Sequence, residues 1–245
     1  MTDPAVSSDA NAARKWQPIS SIDRRVLGVL VEKAKTTPDA YPLSYNALRV
    51  GCNQKNNRDP IMQLTEDDVQ ESMERLRPLG AAEEVQGSGR VSRLRHHLYE
   101  WLGVDKIELA VMAELLLRGA QTEGELRGRA ARMEPIADLT ALRPILASLK
   151  QKGLVISLTS EGRGHVVSHA LYLPEEMDKV RRHVESIEAG GPATASVSRA
   201  ATPSGAADHD ELAGLREELN QMHAEIAELR QELQSVRDLM TQRGS

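Results

Sequence analysis

The chemistry legible in this chain is that of clustered cations. Residues 89–99, GRVSRLRHHLY, alternate so that Leu94 and Leu98 point one way and Arg93, Arg95 and His97 the other, with Arg90 at a turn. Guanidinium groups on a hairpin could fork onto phosphate oxygens, a contact that gives affinity without reading bases. The same arginines could equally be the charged guard of an edge strand. Lys55 and Arg58 lie among Asn and Gln in the loop Asn53–Pro60, where they suit phosphate contact or loop bracing. Arg143 and Lys150 lie in a mildly basic stretch further on and extend the nucleic-acid candidates. Arg127, Arg129 and Arg132 crowd one short segment as a patch for phosphate or an acidic partner. Glu123, Glu125 and Glu134 lie close enough in sequence to neutralise that patch, and pairing is the favoured reading.

Covalent and metal chemistry find little footing. No GxSxG, Walker A or GxGxxG pattern occurs. The single cysteine, Cys52, falls in an apolar helical phase that suits a buried thiol and fits a reducing compartment. His96 and His97 are adjacent, and His165 and His169 share a strand face, but no further residue completes a metal set. We therefore expect no catalytic residues, no metal and no cofactor. Aromatics make up 2% of the chain and Phe is absent, which argues against RNA modules that stack bases on aromatic platforms. No apolar run is long enough to span a membrane, and a cytoplasmic protein is expected.

The elements that position these residues recur. Residues 19–102 read as a helix opened by Ser20 and Ser21, a second helix capped by Ser44, the polar loop, and a third helix started by Thr65 and Asp68. Strands at Ala81–Val85 and Val91–Tyr99 follow, around the turn Gln86–Gly89. Residues 103–173 repeat the plan. Ile22, Val26, Leu30 and Val31 return 85 positions later as Ile107, Val111, Leu115 and Leu116. Val69, Met73, Leu76 and Gly80 return 73 later as Leu142, Leu146, Leu149 and Gly153. The shorter offset holds through the hairpin, so the first copy carries 12 extra connecting residues (85 − 73), shared between the approach to Ser44 and the loop Asn53–Leu64. In the second hairpin the same phase puts Val166, Ser168 and Ala170 outward. Pro144 lies inside the third helix of copy two, where it removes a backbone bond.

The third helix of copy one is acidic: Glu66, Asp67, Asp68, Glu71 and Glu74 outnumber Arg75 and Arg77. Phosphates repel such a surface.

Flanking segments differ in kind. Residues 1–18 read as a disordered leader, 174–188 as a short polar helix and 189–207 as a flexible linker. Over 208–242, Leu212, Leu215, Leu219, Met222, Ile226, Leu229, Leu233, Val236 and Met240 alternate in threes and fours, the seam of a coiled coil. The net charge of −5 is that of residues 208–245, nine acids against four bases, so the body is nearly neutral. With Leu212 at position a, Glu225 and Glu232 at g face Arg230 and Arg237 at e of a parallel partner. An antiparallel pair would set like charges together. A parallel homodimer is expected, with a helix folded back on its own body as the alternative.

Three features together, residues 41–64 (YPLSYNALRVGCNQKNNRDPIMQL), residues 115–133 (LLLRGAQTEGELRGRAARM) and the acidic heptad tail, resemble the YceH family of uncharacterised bacterial proteins. The resemblance implies a tandem winged-helix body, cytosolic, and brings no catalytic or ligand residues. The expected fold is mainly α with small β-hairpins (α+β), as two tandem winged helix-turn-helix domains followed by a C-terminal coiled-coil helix. Two functions are compatible with it, the first favoured on fold analogy and the second its alternative. One is a DNA-associated, regulator-like protein that grips phosphates through hairpin arginines as a coiled-coil dimer. The other is a protein-interaction scaffold that uses the same surfaces without DNA.

The heptad seam yields a direct expectation. Removing Ala207–Ser245 converts a parallel dimer to monomers while both repeats stay folded. Sedimentation of the truncated chain checks it, and an unchanged dimer mass would move the interface into the body.

Overall fold

A computed structural model describes residues 15–86 and 92–189. The turn bearing Arg90, most of the leader, the linker and the heptad seam lie outside these residues. Both repeats belong to one compact unit. No described helix is long and apolar enough to cross a membrane.

Capping chemistry sets the helix starts. Ser20 accepts the Asp23 N–H and opens α1 (Ser21–Thr36), and Ser44 accepts the Ala47 N–H and opens α2 (Tyr45–Cys52). Thr65 and Asp68 form a reciprocal capping box at α3 (Glu66–Leu76). The antiparallel strands β1 (Ala82–Gln86) and β2 (Ser92–His96) follow, and Leu43 bridges to Leu94 beside them. The second strand is shorter than the sequence suggests. Leu98, Trp101 and Leu102 are all buried at helical spacing, so the chain turns at His97 into α4 (Leu98–Leu102), which Gly103 ends at φ +66°.

Copy two comprises α5 (Lys106–Arg118), β3 (Gln121–Thr122), α6 (Glu123–Ala130), α7 (Leu139–Gln151), β4 (Val155–Ser157) and β5 (Val166–His169), and α8 (Pro174–Ala189) follows. The repeat is kept residue by residue. The N-caps Ser20 and Asp105 are 85 apart, and Thr65 and Asp138 are 73 apart. Strand pairing carries the same shift: Ala82 faces His96 as Val155 faces His169, and Glu84 faces Leu94 as Ser157 faces Val167. Leu76 and Leu149 are both fully buried, and Gly80 and Gly153 take the same left-handed turn at φ +68° and +71°. The caps Ser44 and Thr122 are 78 apart, so seven of the extra residues precede α2 and five lie in the loop after it. Helix α7 runs unbroken through Pro144, which stands exposed where a missing N–H can be tolerated.

The two repeats share one core. Helices α1 and α5 pack together, and a Cβ at Gly28 would lie 2.9 Å from the Leu117 side chain, so glycine permits the close approach. Consecutive residues Asp23–Glu32 and Glu108–Leu117 are buried, so both helices are enclosed on every side. Strand β5 is central in the sheet β3-β5-β4, and its consecutive residues Val167, Ser168 and His169 are buried, so both of its faces are covered. For that reason Ser168, expected outward, is buried and hydrogen-bonded to the Tyr172 hydroxyl at 2.8 Å.

Each copy also holds a neutral histidine at the same place. His96 Nδ1 accepts the Leu98 N–H at 3.3 Å, and His169 Nδ1 accepts the Leu171 N–H at 3.2 Å. An accepting nitrogen carries no proton. Burial, with His97 and Lys35 nearby, holds His96 down to about 4, and burial beside Arg24 holds His169 well below the ordinary range. The unfolded chain takes up these protons near pH 6.5 and the folded chain does not. Stability is therefore complete above about pH 6.5 and falls as pH drops toward about 4, by roughly 1–3 kcal/mol for partly exposed His96. Denaturant midpoints should fall across that window. His96→Asn, which keeps an acceptor but not the titration, should flatten the slope, and equal slopes in both proteins would refute the assignment.

Candidate interaction surface

Helices enclosed on all sides must neutralise any charge they carry. Glu32 of α1 does so with Arg58 of the polar loop, at 2.5 and 3.2 Å. Every donor of Arg58 is engaged: Nε bonds the Gly51 carbonyl, Nη1 bonds Glu32 and the Asn57 carbonyl, and Nη2 bonds Glu32 and Gln54. Arg58 is 3% exposed, so it has nothing left to offer a phosphate. Of the two roles open to it in the sequence, it takes bracing. The loop continues across to copy two. Asn57 donates to Glu114 at 3.0 Å, and the Asp59 N–H bonds the Leu117 carbonyl at 3.1 Å. Burial pushes the fully enclosed Glu114 carboxyl up, against the pull of Asn57 and Arg132. Lys55 stays exposed at the loop surface, with no side-chain bond among the described residues.

The arginines of α6 and of the turn after it divide. Arg129 bonds Gln121 at 2.6 Å and lies 3.5 Å from Glu125, as expected of a paired patch. Arg132 reaches instead toward Glu32 and Glu114, at 3.6 and 3.7 Å, and joins the charge cluster between the repeats. Arg127 bonds the Ala137 carbonyl. The carboxylates expected to neutralise them are largely engaged elsewhere: Glu123 meets His165 and Arg143, and Glu134 meets Lys35.

On the first hairpin, Leu94 is buried and Arg95 exposed, as the alternation requires. Arg95 faces Glu83 across the ladder and pairs with it, and His97 meets the same carboxylate at 3.0 Å. Arg93 is half-buried and donates to the Pro42 carbonyl at 3.4 Å. In copy two, Arg143 pairs with Glu123 at 3.4 Å and Lys150 with Glu161 at 3.1 Å. Each described hairpin or third-helix cation put forward for phosphate thus has a carboxylate or carbonyl partner. Such pairs are weak, but the carboxylates beside Arg95, Arg143 and Lys150 reduce the local charge that would draw a duplex, while the Pro42 carbonyl only holds Arg93 in place.

The outward side of α3 is different. Glu66, Asp67, Glu71 and Glu74 are exposed on it, while Arg75 turns back to the buried Asp23 at 3.0 Å. Cys52 is inert: it is fully buried, and burial pushes its thiol up to about 12. No group of three or more His, Cys, Asp or Glu among the described residues could hold a metal.

Reading the sequence alone missed the importance of Arg24, Arg25, Glu32 and Glu114. The signal was there in charged residues set inside otherwise apolar helices. It could be used only once both helices were known to be enclosed.

Residues 19–163 match a family profile described as "Protein of unknown function, DUF480". A UPF0502 protein of Rhodopirellula baltica is 49% identical over 211 residues, covering 84% of this chain and 88% of that one. A UPF0502 protein of Citrifermentans bemidjiense is 39% identical over 225 residues, covering 90% and 97%. One of Geobacter sulfurreducens is 38% identical over 206 residues, covering 82% and 88%.

The contrast between buried and exposed cations is measurable. Arg58→Ala takes from buried Glu32 its directly bonded counter-charge, leaving only Arg132 at 3.6 Å, and should cost about 3–5 kcal/mol. Arg95→Ala on the hairpin should cost about 0–1 kcal/mol. Chemical denaturation of the two variants checks the order, and comparable losses would contradict the division drawn here.

Proposed function

The chain belongs to the DUF480 family of proteins of unknown function, so kinship brings no activity with it, and we propose that it is a non-enzymatic protein-interaction module. Each repeat is read as a winged helix, and the two are fused through α1 and α5. In a DNA-reading winged helix the third helix enters the major groove. The observation that carries the proposal is the outward side of α3, where Glu66, Asp67, Glu71 and Glu74 stand exposed. A phosphate backbone is repelled there, whereas a lysine- or arginine-rich protein surface is attracted. Through the heptad tail two such bodies would act together, which raises avidity for a repeated partner.

The competing reading is a regulator that holds duplex DNA by Arg93 and Arg95, with Arg90 at the turn. To do so Arg95 must give up Glu83, and the duplex must approach a strand pair that presents the Glu83 carboxylate beside it. Titration of the full chain against random duplex DNA at two salt concentrations separates the two. The expected result is no salt-dependent binding by the natural sequence, and its appearance when Glu66, Glu71 and Glu74 are all changed to Lys. The opposite result is binding by the natural sequence that weakens with salt, with a slope shallower by roughly 0.9 in each of Arg93→Ala and Arg95→Ala. That outcome would replace this proposal with the DNA reading.

A further inference from the structure

The start of α1, the end of α5, the polar loop and α8 converge on a cavity of about 350 Å³. That is within the usual size of small-molecule sites. Its lining is apolar at Met62, Leu116 and Val184 and cationic at Arg25 and Lys179, with Asp59 the one carboxylate among the lining residues.

The charge balance of this cavity is incomplete. Arg24 also lines it, but Glu176 cancels its charge through two bonds at 2.8 and 2.9 Å. His169 is neutral, because its Nδ1 accepts a backbone N–H. Arg25 is 1% exposed and has no carboxylate bonded to it. Its two Nη atoms go to the carbonyls of Cys52, Pro60 and Leu117, and its buried Nε has no partner. A guanidinium held this way is a buried positive charge bonded only to dipoles, with the Asp59 carboxylate near it but not bonded, an arrangement that favours an incoming anion. Burial and the neighbouring Arg58 even lower its hold on the proton, to about 10. Lys179 is exposed at the cavity and free of any side-chain bond among the described residues. Ser21 adds the positive end of the 16-residue α1. Asp59 offsets part of this field, which suits one negative charge better than several.

We infer that the cavity binds a small monocarboxylate with an apolar body. Its carboxylate sits in the field of Arg25 and Lys179, and its hydrocarbon lies against Met62, Leu116 and Val184. A ligand there bridges the polar loop of copy one, the end of α5 and α8, so it ties α8 to both repeats. This does not depend on which partner the α3 surface takes.

Octanoate, octanol and octylamine serve as probes of the full chain by calorimetry and thermal shift. Octanoate should bind saturably, at least ~10-fold tighter than the alcohol or the amine. Lys179→Glu, an exposed change that spares the core, should weaken octanoate ~10-fold or more. Val180→Trp, which fills the cavity, should do the same. The inference is overturned if octanoate fails to bind up to about 10 mM, if octanol or octylamine binds as tightly, or if both variants bind octanoate as the natural sequence does.

Discussion

The packing of α1 on α5 governs the rest of this structure. Gly28 lets the helices approach until a Cβ would strike Leu117, and at that distance neither helix keeps a solvent face. The gain is a single core through both repeats. The cost is that Asp23, Arg24, Arg25, Glu32, Glu108 and Glu114 lose water together. An ion left alone in such a place is expensive, so each must find a partner within the fold.

The search for partners explains features that a single copy of the repeat would not need. The five extra residues of the first loop carry Asn57 and Arg58 across to Glu114 and Glu32. Arg75 turns inward to Asp23, and Lys152 and Ser148 serve Glu108. For Glu108, burial pushes the carboxyl up, yet hydrogen bonds from Lys152, Ser148 and the Asp105 N–H together hold it below its ordinary value. Arg75, though partly exposed and 3.8 Å from Glu71, is bonded to Asp23, and the rest of the outward side of α3 is left to its carboxylates. Arg25 is the exception, answered by carbonyls alone, and it lies at the cavity wall.

Repetition was the most legible property of the chain. The offsets of 85 and 73 hold for helix caps, buried residues and strand register alike, because a helix face and a strand alternation are local periodicities that the sequence must carry. Elements that depended on cover were read less well. Leu98 and Tyr99 ended a strand in the sequence and begin α4 in the structure, since the burial of Trp101 and Leu102 decides the period. Ser168 was read as outward from strand phase, but both faces of β5 are covered and Ser168 meets the Tyr172 hydroxyl.

By itself, then, the sequence determined the order of elements, their capping and the twofold plan, all of which follow from residue type and spacing along a few turns. It also marked the candidate cations, and it left Arg58 open between phosphate contact and bracing, and α6 between a binding patch and ion pairs. Only the tertiary structure could assign those roles. Arg58 meets Glu32 across 26 residues, and Arg132 meets Glu32 across 100. Whether a charge is a binding group or a structural one depends on which carboxylate the fold brings beside it and how much water remains. Neither quantity is a property of the local sequence.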